Sequence, residues 1–165
     1  MSLRLTKIVL LSSVALYYTL IVFNNLTDYA SNFQFVRHVL LMDTTFPDNR
    51  GMWRALHSPA WHALFYRTII VWEIFTMLLC WWGVFRMVGA LRESASSFHR
   101  AAGAGIMGLT CGLVMWLVAF LAIGGEWFMM WQSHTWNGQE AAFRMFAVLG
   151  LVLLVLIQPE SREAV

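Results

Sequence analysis

Four separate stretches of this 165-residue chain are each apolar enough, and long enough or nearly so, to cross a lipid bilayer as a helix. A hydrocarbon core about 30 Å thick takes roughly 20 mostly apolar residues at helical rise, and backbone groups left unpaired in it cost several kcal/mol each. The stretches run over about residues 8–23, 63–85, 103–123 and 141–157. Only 12% of residues are charged and 59% are hydrophobic, where a soluble domain carries roughly 25% charge. The expected fold is therefore an all-α membrane protein, a single four-transmembrane-helix bundle over residues 1–165. No small-x-small cleavage site follows Phe23, so the first span is expected to stay in place as a membrane helix.

The loops set the orientation. Arg4, Lys7, Arg86, Arg92, Arg100 and Arg162 fall on one side of the spans, and Arg37, Arg50 and Arg54 fall in loops on the other. By the positive-inside tendency both termini and the middle loop face the cytoplasm, and loops 24–62 and 124–139 face outward. The eleven basic residues are scattered and nearly balanced by nine acidic ones, so no basic stripe exists to hold a nucleic-acid backbone. Cys80 and Cys111 lack the paired spacing of a zinc or redox site and read as small packing residues.

Both outward loops carry folding signals. After Asn32, a helix-cap residue, Phe33, Phe35, Val36, Val39 and Leu40 recur at helical spacing, with Gln34 and Arg37 off the apolar stripe. Residues 43–51 are dense in turn formers, Met52–Leu56 predicts a further helical turn, and Ser58-Pro59 predicts the start of the second long helix. Asn137 followed by Glu140 fits a capping box for the fourth. The expectation is a folded, partly helical periplasmic cap. Trp53, Trp61, Trp127, Trp131 and Trp136 make its outer face aromatic, which suits either an interfacial belt or a cage for a cation.

Several of these strings resemble a known family. Asn24-Asn25-Leu26-Thr27-Asp28-Tyr29, Asn32-Phe33, Phe35 to Leu40, Met42-Asp43-Thr44-Thr45-Phe46-Pro47, and Trp131-Gln132 with Trp136 to Gln139 are similar to the hallmark stretches of a bacterial family of small integral membrane proteins without assigned function. The resemblance covers essentially the whole chain. It implies a four-span inner-membrane protein of Gram-negative bacteria and carries over no catalytic residue.

Few residues inside the spans are chemically unusual. Glu73 lies deep in the second span, where an unpaired charge costs at least about 2.5–3.5 kcal/mol. Arg144, one turn into the fourth span, and Arg67, six residues before Glu73, are its candidate partners. The alternatives are a neutral Glu73 that relays protons, or one that holds a lipid or quinone headgroup. In the third span Ala104, Gly108 and Gly112 recur every four residues and form a seam for close helix approach, within the bundle or to a second chain. His38, His57, His62 and His134 fall in the outward loops and are metal-ligand candidates by residue type, although His57 and His62 lack the i, i+4 placement of a helical ligand pair.

No nucleophile elbow, phosphate loop or zinc-protease motif occurs, so the reading leans away from an enzyme and indicates no resident cofactor. The first functional expectation is an accessory, assembly or stabilising subunit docking on another membrane protein, or on its own copy, through its helices and cap. The second is a membrane protein or enzyme that binds a lipid or quinone with Glu73 and Arg144.

Overall fold

The computed structural model describes residues 1–159, and Arg162 with the rest of the expected polar tail lies outside them. Helix α1 (Ser2–Thr27) contains neither Gly nor Pro and runs unbroken to Asp28, whose backbone at φ −124° leaves the helical region. Helix α2 (Tyr29–Leu41) follows at once and stops at Met42, which adopts left-handed backbone at φ 55°. A 3-10 turn at Met52–Arg54 leads into α3 (Pro59–Gly89), which starts with Ser58 at the N-cap position and Pro59 in its first turn. The middle loop holds a short helix α4 (Ala95–Ala101), capped where the Ser97 amide donates to the Ser94 hydroxyl. Helix α5 (Gly103–Val114) continues as a π-helix over Met115–Trp127, and after a 3-10 turn at Met130–Gln132 the chain forms α6 (Gln139–Ile157). Among the described residues there is no strand.

Four helices are long and apolar enough to cross a membrane, Ser2–Thr27, Pro59–Gly89, Ala95–Trp127 and Gln139–Ile157. The pattern along α3 explains how they are arranged. Tyr66, Ile70, Glu73, Thr76, Cys80, Gly83 and Met87 are buried and recur every three or four residues, the spacing of one helix face. Val71, Phe75, Leu78, Trp82 and Phe85 form a second stripe and are each more than half exposed. Such an apolar face without a protein neighbour is stable only against lipid chains. With 31 residues, α3 spans about 46 Å at helical rise and is longer than the roughly 30 Å hydrocarbon core.

Helix α3 is the centre of the bundle, packed against both α1 and α5, while α6 packs against α5 and its π-helical extension. One core joins Leu11, Ala15 and Tyr18 to Cys80, Met87, Leu109, Met115 and Leu149. The small residues let the backbones meet. A side chain at Gly83 would run into the backbone of Gly105, one at Gly108 into Cys80, and one at Gly112 into Tyr18 and Leu149. The Gly108 and Gly112 seam thus lies inside the bundle and presents no groove to a second chain, while Ala104 stays half-buried. Indole donors add cross-links: Trp116 to the Tyr18 hydroxyl at 3.1 Å, Trp81 to the Thr19 hydroxyl at 3.0 Å, and Trp72 to the Cys111 carbonyl at 3.2 Å.

A second core joins the two long loops into one cap over an end of the bundle. Val36, Val39, Leu40 and Met42 pack on Tyr66 and Ile70 of α3 and on Phe128 and Met130 from the other loop. Helix α2 therefore lies down on the bundle. Two local details differ from expectation. The cap of α2 is Asp28, because the helix begins four residues before Phe33 and Asn32 falls within it. The Asn137 and Glu140 capping box does not form, since α6 starts at Gln139 behind Gly138 and the Asn137 side-chain oxygen Oδ1 accepts from the Gln139 backbone amide instead.

Candidate functional site

Glu73 is 3% exposed and Asn25 is 8% exposed. Asn25 follows Leu11 and Tyr18 at intervals of seven on α1, which brings it to the same inward face. Its side-chain amide donates to Glu73 Oε2 at 2.6 Å, and its carbonyl oxygen accepts from the Tyr66 hydroxyl at 3.1 Å. Tyr66 and Glu73 are also seven apart, so α3 presents both toward α1. The result is a buried relay, Tyr66 to Asn25 to Glu73, joining the second span to the end of the first.

This arrangement replaces the expected ion pair. No salt bridge links Glu73 to Arg144 or Arg67 among the described residues, and both arginines are exposed. The reason is rotational. Six residues at about 100° each carry Arg67 roughly 120° round α3 from Glu73. On α6 the buried face is Ala142, Leu149, Val152 and Leu156, and Arg144 sits about 200° from Ala142. An arginine near a helix end can extend to the interface from there.

Two cavities meet beside the relay. The first, about 370 Å³, is lined almost wholly by apolar side chains including Val39, Leu40, Trp61, Leu64, Trp72, Ala119 and Ile123. The second, about 260 Å³, is lined by Asn24, Asn25, Asn32, Tyr66 and Glu73 together with Trp116. Phe35, Val36, Ile69 and Phe120 line both, so the two spaces adjoin. Helix α2 supplies Phe35 and Val36, and the π-helix supplies Trp116 and Phe120, so the cap and the unusual backbone both shape this region. Long π-helical runs are rare, and short ones concentrate at functional sites. An apolar space with a few convergent polar groups is the usual form of a small-ligand site.

The cap tryptophans serve other ends. The Arg54 guanidinium lies 5.2 Å from the Trp53 ring centre and 4.9 Å from that of Trp127, and it donates to the Trp127 carbonyl at 3.3 Å. The cation between these rings is thus the protein's own. Trp131 meets Phe46 edge-on, Trp61 lines the apolar cavity, and Trp136 stacks flat on His38 at 4.7 Å. Replacing Arg54 with methionine is expected to loosen the junction of the two loops by about 1 kcal/mol. Limited proteolysis within residues 44–54 measures this, with faster cleavage in the variant and an unchanged bundle.

The histidines are not brought together. His38 Nδ1 pairs with Asp43 at 2.8 Å, His62 Nε2 meets the Leu56 carbonyl at 2.6 Å, and His57 and His134 are exposed. No group of three or more His, Cys, Asp or Glu suited to a metal exists among the described residues. Sequence reasoning missed Asn25 as a site residue, although its seven-residue spacing from Tyr18 was available as a signal.

The comparisons agree with this architecture. A family model described as predicted small integral membrane protein (DUF2165) matches residues 3–159. No curated protein and no solved structure matches significantly. With the match running through all four long apolar helices and the cap, the chain belongs to this family of small integral membrane proteins.

Proposed function

We propose that the protein binds a single amphipathic molecule, a membrane lipid or quinone, across the two joined cavities. The observation that carries this reading is the shared lining: an apolar space of about 370 Å³ adjoins one that holds Glu73, Asn25 and Tyr66. A hydrocarbon or isoprenoid tail gains from the first because it leaves water or disordered lipid for fixed apolar contacts. A headgroup that exchanges hydrogen bonds with a carboxyl group suits the second, a lipid or quinol hydroxyl donating to the carboxylate or a quinone carbonyl accepting from the protonated acid, where Glu73 has Asn25 as its protein partner. Arg144, exposed on α6, has no part in this site.

The protein sits, in this reading, in the bacterial inner membrane with the cap in the periplasm and both termini in the cytoplasm. Arg4, Lys7, Arg86, Arg92 and Arg100 at the end opposite the cap support that orientation. Reporter fusions at Glu93 and Asp48 test it, and a periplasmic Glu93 overturns it.

The ligand test is mass spectrometry of molecules retained by protein purified from its own membrane. Ala119→Phe fills the apolar space and is expected to cut retention roughly tenfold while the unfolding midpoint holds. Failure of the native protein to retain any lipid or quinone overturns the proposal. A second reading, an accessory, assembly or stabilising subunit, is favoured by Trp53, Trp61, Trp127 and Trp131, each 47% to 72% exposed on the cap. Gentle-detergent purification tests it, and a solitary monomer counts against it.

A further inference from the structure

At the end of the bundle away from the cap, two more cavities of about 460 Å³ and 290 Å³ share Arg86, Arg100 and Ala101. Arg86 stands in the last turn of α3 and Arg100 in α4, just before α5 begins. Both are exposed. Arg100 donates to the Ser97 hydroxyl at 3.1 Å, and neither guanidinium pairs with a carboxylate among the described residues. Glu93 lines the outer of the two cavities, and its backbone carbonyl accepts from Arg4 at 2.7 Å. Below the arginines the inner cavity is a trough between α3 and α5. Ala101 and Ala104 form its small-residue floor, and Trp82 and Met107 form walls that are 58% and 56% exposed on the lipid-facing surface.

The geometry points to a binding site for one anionic phospholipid, with its phosphate between Arg86 and Arg100 and an acyl chain in the Trp82–Met107 trough. Two features select this occupant. Paired guanidinium groups match phosphate in charge and in fork geometry, and an apolar channel runs from them along the spans, which a free anion has no use for. Basic pockets between helices at one membrane face hold acidic headgroups in this way. The site lies at the opposite end from the paired cavities and stands or falls independently of them.

Native mass spectrometry of the full-length protein, delipidated and then supplied with phosphatidylglycerol or phosphatidylcholine vesicle lipid, tests the assignment. Phosphatidylglycerol is expected to be retained preferentially. Arg86→Gln and Arg100→Gln should each lower its retention about fivefold and together about 30-fold, following the contribution of each basic residue near a membrane surface. Ala104→Phe, which blocks the trough and leaves both charges, should also lower it. Arg92→Gln, in the same loop but lining neither cavity, should leave retention unchanged. Equal retention of phosphatidylcholine, an Arg92→Gln loss as large as that of Arg86→Gln, or displacement of the lipid by inorganic phosphate alone overturns the proposal.

Discussion

Gly83→Ala is expected to lower the stability of the bundle by about 3 kcal/mol, a large effect for one methyl group. A Cβ at this position lies 2.5 Å from the backbone nitrogen and 2.6 Å from the Cα of Gly105. Backbone cannot rotate aside as a side chain can, so α3 and α5 must separate. That separation removes contacts along the whole crossing, including Gly108 against Cys80. In lipid no water-driven force restores them, because helix association rests on close packing. The control is Gly103→Ala, where a Cβ meets nothing within 4 Å. There alanine should be neutral or stabilising by up to about 1 kcal/mol through helix propensity. Unfolding midpoints in detergent read both, and equal midpoints for the two variants contradict the close crossing.

Asn25→Leu should have the second-largest effect, a loss of about 2–3 kcal/mol. The substitution leaves the Glu73 carboxyl group and the Tyr66 hydroxyl, both buried, without their shared partner. Glu73→Gln keeps an acceptor facing Asn25 and should cost about 1 kcal/mol or less. Replacing both partners, in Asn25→Leu with Glu73→Leu, should recover part of the loss, because the buried carboxyl group is then gone and only the Tyr66 hydroxyl is left without its partner. A double variant less stable than Asn25→Leu alone argues that Glu73 is held by groups other than Asn25. The same set bears on ligand binding: Glu73→Gln should weaken headgroup retention more than it weakens the fold, while Asn25→Leu should weaken both.

Much of the architecture was legible in the residues. The apolar runs named four membrane helices, Ser58-Pro59 marked the start of α3, and the spacing of Val36, Val39 and Leu40 marked a cap helix. These signals are local and survive whatever the chain packs against. The π-helix over Met115–Trp127 was not legible, since its composition suits an α-helix equally well. Gly83 was missed because a single glycine in a long helix acquires meaning only from the glycine facing it. The Glu73 partner was misread for a different reason. Position near the membrane and opposite charge point to Arg144, but whether two groups meet depends also on the direction each side chain takes round its helix. Counting at 100° per residue already sets Arg144 away from the buried face of α6.

Helix length, apolar content and turn chemistry are properties of short stretches of chain, so the residues alone carried the membrane class, the number of spans and the presence of a folded cap. Which polar groups meet inside is a property of rotation and crossing depth, and these depend on every neighbouring helix at once. Packing of α1 against α3 put Asn25 beside Glu73. The contact of Gly83 with Gly105 set how closely α3 and α5 approach. The folding of α2 onto α3 beside the π-helix left two cavities that share lining residues at the buried carboxyl group.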